Sequence, residues 1–194
     1  MILLALLALA VVASLLSGGH LEQIAGVQIK HAYLILLSLG IQVLIFSSWW
    51  HSRVERAFWA DILYMVSIVL LLVATQLNRR LPGITPLNIG LILNAAVILS
   101  NGGHMPASLQ ALRMAGMVDP QAAFETIHIT NSSLISETTP LWFLGDIFAV
   151  PRGWPLANVF SVGDVLIALG AAWFVWANAR PKAQDSRSLA SSPS

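Results

Sequence analysis

Cysteine is absent from the 194 residues. That excludes disulfides, thiolate catalysis, and Fe–S or Cys-type zinc centres together. Charge is scarce as well: ten Lys and Arg against nine Asp and Glu, 10% of the chain, with a net charge of +1. A typical soluble domain carries about 25% charged residues, so this chain has few side chains with which to face water. The near-neutral balance offers no basic surface for nucleic acid. No glycine-rich loop that would cradle phosphate occurs, and no pair of histidines at haem spacing crosses the apolar runs, so the sequence names no cofactor and no metal. What fills the chain instead is apolar: 57% hydrophobic residues, seven Trp, and a mean hydropathy of +0.76.

The apolar residues fall into five runs, at 2–17, 32–50, 59–77, 87–103 and 157–177. A bilayer core about 30 Å thick takes roughly 20 apolar residues as a helix. On that count the expected fold class is all-α, a polytopic membrane helix bundle of about five transmembrane helices. The bundle would occupy 1–177 with one external loop block, 104–156, between the fourth and fifth helices, and 178–194 would be a disordered cytoplasmic tail. No Lys or Arg precedes Lys30, so the first run lacks the basic start of a secretion signal and is expected to be a retained helix. Lys30, Arg79, Arg80, Arg180, Lys182 and Arg187 fall on one side of such a bundle and Arg53, Arg56, Arg113 and Arg152 on the other. The richer side is expected to be cytoplasmic. The location that follows is the inner membrane, multi-pass, with the N-terminus outside.

Within 104–156, "MPASLQALRMAGM" has the spacing of a short amphipathic helix with Leu109, Leu112 and Met117 on one side. Asp119-Pro120 has the form of an N-cap followed by a first-turn proline. "HITNSSLISETTP" is polar and β-branched, a loop or short strand. "PLWFLGDIFAVPRGWPLANVF" is apolar but broken by Pro140, Pro151 and Pro155, and is expected to lie at an interface with Trp142 and Trp154 as anchors.

The polar residues set among apolar ones are the candidate site. Asn94 and Asn101 are seven apart, two helical turns, and His104 follows in "NGGHMP". Ser161 and Asp164 are three apart at the start of the last run. A carboxylate in an apolar setting is costly without a partner. His104, Asp146 and Asp164 are therefore expected to cluster as candidate catalytic groups, with Asn101, Asn94 and Ser161 as candidate binding groups. The plainer readings are open at this point: the asparagines as interhelical hydrogen bonds, Asp164 as a charge at a helix N-terminus, His104 as a loop residue, Asp61 as a solvated helix end.

Two resemblances attach to these motifs. Through "SGGHLEQIAG", "NGGHMP" and "LGDIFAVPRGWP…VFSVGD" the whole chain resembles an uncharacterised family of small bacterial multi-pass membrane proteins, a domain of unknown function. That resemblance implies a fold and a location but no activity. The last two runs are similar to lipoprotein signal peptidases, in which Trp-Pro is followed by Phe-Asn-x-Ala-Asp. Phe160, Ser161, Gly163 and Asp164 lie on that motif, which puts Asp164 on a catalytic aspartate. Asn101 lies on the family's Asn-x-x-Asp-Arg, but His104 and Met105 stand where its Asp and Arg would be. The functions in view are a structural or ligand-holding membrane protein or accessory subunit, and, as the alternative, a membrane-embedded hydrolase with an outer-face Asp/His site. Membrane lipids and a larger membrane complex are the expected partners.

Overall fold

A computed structural model describes residues 2–16, 18, 20–45, 47, 57–119 and 132–179. Seven α-helices lie among them: α1 Ile2–Leu16, α2 Leu21–Ala25, α3 Ala32–Ile45, α4 Ala57–Leu77, α5 Ile84–Ser100, α6 Leu109–Ala115 and α7 Val162–Asn178. Four three-residue strands accompany them: β1 Met105–Ala107, β2 Ser132–Leu134, β3 Phe148–Val150 and β4 Asn158–Phe160.

The five long helices coincide with the five apolar runs, but four of them are shorter than a membrane requires. α1, α3, α5 and α7 have 15, 14, 17 and 17 residues. At about 1.5 Å per residue they reach about 21–26 Å, short of the roughly 30 Å of hydrocarbon. α4 has 21 residues, yet Asp61 and Gln76 bound its apolar part at 62–75. Among the described residues no helix is long and apolar enough to cross a membrane. The expected polytopic membrane bundle is therefore corrected to a helical bundle carrying two small sheets. The same finding removes the multi-pass inner-membrane location with its N-outside orientation, and with them the multi-pass and membrane-embedded-hydrolase readings. The run counts overshot for a local reason. Asn101 ends α5 as its C-cap, and residues 158–160, counted as helix, form β4 instead. Trp49, Trp50, Arg53, Arg56, Pro120, Asn131 and the tail from Arg180 lie outside the described residues.

The helices pack as a row, α1 on α7, α7 on α5, α5 on α4, and α4 on α3. The α5–α7 contact is the closest. A Cβ on Gly90 would meet the Gly163 carbonyl and one on Gly83 the Gly170 carbonyl. Each helix thus offers two glycines seven residues apart, and the two helices meet backbone to backbone in antiparallel sense. Buried polar groups join α3 to α4: Ser38 Oγ donates to the Ser67 carbonyl at 2.8 Å, and Gln42 Nε2 to Ser67 Oγ at 3.1 Å.

Residues 104–119 and 132–160 form a cap over one end of this row. β1 follows α5 directly and pairs parallel with β2, while β3 and β4 form an antiparallel pair with Phe148 opposite Phe160. α6 starts at Ser108, whose side chain accepts the Ala111 N–H, and ends at Gly116 in the left-handed conformation. Leu112 of α6 is buried with Ala107, Ala111, Ala115 and Val159, whereas Met117, expected on the same side, is exposed. Trp142 and Trp154 are exposed.

Candidate active site

Ser161 and Asp164 make the N-terminus of α7. Ser161 is the N-cap and Asp164 the third helical residue, and each side chain bonds the other's backbone. Ser161 Oγ accepts the Asp164 N–H at 3.0 Å, and Asp164 Oδ2 accepts the Ser161 N–H at 3.0 Å. This reciprocal capping box satisfies two of the helix's orphan donors. Asp164 lies in the first turn of α7, because the helix begins at Val162.

Asn94 reaches this cap from α5. Its Nδ2 donates to Asp164 Oδ1 at 2.8 Å, and its Oδ1 accepts from Ser161 Oγ at 3.0 Å. Both ends of the amide are used, and Ser161 is completely buried. Gly163 makes the approach possible, since a Cβ there would run into the Asn94 amide. Asp164 therefore accepts at both oxygens, at the N-terminal end of α7.

Asp146 arrives from the cap. Its N–H donates to the Pro106 carbonyl at 2.8 Å and its carbonyl accepts the Ser108 N–H at 3.0 Å. These bonds bridge it to Ala107, at the end of the strand that continues α5. Gly145 lets the chain pass against Pro106, whose carbonyl a Cβ would strike. The Asp146 carboxyl is pushed up to about 7, first by burial and then by the negative charge of Asp164. Tyr64 of α4 packs beside Val97, Ile98 and Met105. Its hydroxyl is raised above its ordinary value by burial, then by the charges of Asp164 and Asp146. The two carboxyls and the phenol thus lie close enough for charge on one to be felt by the others.

The remaining expected residues lie at the edge of this arrangement. Asn101 Nδ2 donates to the Val97 carbonyl at 2.7 Å and to the Pro140 carbonyl at 3.0 Å, so it fastens the end of α5 to the cap. His104 lies in the turn between α5 and β1, half-buried, with its N–H on the Asn101 carbonyl at 3.3 Å. Among the described residues the bonds to Asp164 come from Asn94 and Ser161, not from His104. Tyr64 was not among the expected site residues. The signal for it was a phenol hydroxyl inside an apolar run, which needs a partner when buried. Among the described residues no group of three or more His, Asp or Glu is placed to hold a metal ion.

A carboxyl that keeps its proton near neutrality beside one that carries charge is the arrangement acid–base chemistry uses. Comparison with known proteins adds relationship without activity. The chain is 27% identical over 169 residues to an uncharacterised protein of Thermotoga maritima, covering 87% of this chain and 88% of that one. No solved structure matches it. The description "Family of unknown function (DUF5317)" matches residues 26–176, and the chain belongs to that family.

Proposed function

We propose that the Asp146–Asp164 pair is an acid–base site for hydrolysis of an acyl bond, in a peptide or an ester. The reading rests on one observation. Asp164 is held as acceptor in the ring formed with Asn94 and Ser161, while the half-buried Asp146 carboxyl is raised to about 7, first by burial and then by that charge. In such a pair the charged carboxylate takes a proton from water as it attacks, and the protonated carboxyl gives one to the departing group. Asn94 and Ser161 are positioning residues, and Tyr64 adds a hydroxyl beside the pair.

Two measurements test this. Carboxyl-carbon NMR of the wild-type protein is expected to show one aspartate titrating near 7, and Asp164→Asn should move that midpoint down toward the ordinary carboxylate range. A pooled library of fluorogenic peptides and esters is expected to be hydrolysed by the wild type. Asp146→Asn and Asp164→Asn should each slow the reaction by about 10²–10⁴ while leaving the melting transition cooperative. No hydrolysis of any member, with the titration as expected, would sink the hydrolytic reading and leave a half-buried carboxyl pair with a structural role.

A further inference from the structure

A second feature lies away from the carboxylates and is independent of them. Leu72, Val73, Gln76, Leu77 and Arg79, from α4 and the turn after it, face Asn88 and Ile92 of α5 across a groove of about 400 Å³. That volume is within the range of small-molecule sites, roughly 300–1,000 Å³. The walls are aliphatic, and the polar groups are concentrated in Gln76, Arg79 and Asn88.

Asn88 is the informative residue. It is only 6% exposed, and its Oδ1 takes the Thr75 hydroxyl at 3.3 Å. Thr75, whose hydroxyl also reaches the Leu72 carbonyl at 2.9 Å, lines the neighbouring cavity and not this groove. No hydrogen bond among the described residues uses the Asn88 Nδ2. Nδ2 is not one of the buried atoms left without a partner, so it touches solvent and is a donor that a ligand can use. Arg79 stands exposed in the lining and brings a permanent positive charge with a forked set of donors suited to a carboxylate. Donor, cation and aliphatic wall in one groove call for an acceptor that is anionic and carries a chain.

We propose that this groove binds a free long-chain fatty acid, its carboxylate on Arg79 and the Asn88 amide and its alkyl chain along Leu72, Val73, Leu77 and Ile92. Binding of palmitate to the full chain in a nonionic detergent, which carries no charge to compete for Arg79, is the test. Saturable one-to-one binding is expected, with hexadecanol at least about tenfold weaker because it lacks the charge. Arg79→Gln and Asn88→Leu should each weaken palmitate about tenfold, Arg79→Lys less, with hexadecanol little changed. Trp173→Ala, in the separate apolar groove between α1 and α7, should leave palmitate affinity unchanged. Thermal melts of each variant identify any that fail to fold, and the others then decide. The proposal is overturned if palmitate does not saturate, if hexadecanol binds as tightly, or if Trp173→Ala rather than Arg79→Gln removes the binding. None of these outcomes bears on the carboxylate pair, which is tested by its own titration.

Discussion

At the scale of single residues, Asp146 carries a consequence for stability as well as chemistry. Unfolded, its carboxyl releases its proton in the ordinary carboxylate range; folded, it releases it near 7. Between those values the folded state binds the extra proton, so stability falls as pH rises through that window. A tenfold difference in proton affinity between the two states corresponds to about 1.4 kcal/mol, and with burial incomplete we expect a loss on the order of 1–3 kcal/mol from about pH 4 to pH 7. Denaturant midpoints should record that decline in the wild type and a flatter profile in Asp146→Asn, which has no proton to lose. Parallel profiles for the two proteins would show that Asp146 is solvated. Asn101 makes a contrasting case. Its amide holds two backbone carbonyls, Val97 and Pro140. Asn101→Ala is thus expected to cost about 1–3 kcal/mol and to act on the site only through the seating of the cap.

Among the elements, the α5–α7 contact decides whether the site exists. Gly90 faces the Gly163 carbonyl so closely that an added methyl must push backbone, and Gly163 lies against the Asn94 amide. Gly90→Ala is expected to destabilise by about 1–3 kcal/mol through overpacking and to separate Asn94 from Asp164. Gly40, in the middle of α3, is the internal control, because a methyl added there would have no neighbour within 4 Å. Gly40→Ala should stabilise by about 0.4–1 kcal/mol, because alanine loses less backbone entropy on folding. If the two substitutions had equal effects in chemical denaturation, close backbone contact would not be what holds α5 to α7. The same elements show which features the sequence made legible. Continuous apolar runs placed five helices, and Ser161-x-x-Asp164 carries the spacing of a capping box. The start of α7 was not legible, because Val159-Phe160 is apolar and runs on toward the helix, and the strand character of Asn158–Phe160 comes from pairing with Phe148–Val150. Asp146 was visible as a candidate, but its approach to Asp164 depends on the bridge to Ala107, a contact spanning 39 positions of sequence that no local pattern encodes. Whether a run crosses a membrane was illegible for a related reason. Composition counts apolar residues, whereas the helix ends at Asn101 and Val162 are set by caps and strand pairing.

For the molecule as a whole, the apolar surface is the dominant physical fact. Large exposed hydrophobic side chains stand on all five long helices, among them Leu16 at 84%, Val43 at 74% and Leu36 at 69% of full exposure. Isolated exposed apolar residues are ordinary, but contiguous patches beyond a few hundred Å² mark surfaces that something covers. A single protein partner covers one face. Here the exposed residues recur from α1 through α3, α4 and α5 to α7. In plain buffer the protein is expected to elute as heterogeneous assemblies, and in nonionic detergent as one species. Leu36→Gln with Val43→Gln distinguishes the two ways of covering the surface, because these residues are two turns apart on one side of α3. If association proceeds through that face alone, the double variant should become a monodisperse monomer without detergent. If the apolar surface is covered generally, the double variant should still need detergent, since α1, α4, α5 and α7 present comparable residues. Light scattering on both proteins reads the difference, and a wild type that is monomeric in plain buffer would contradict the apolar surface itself.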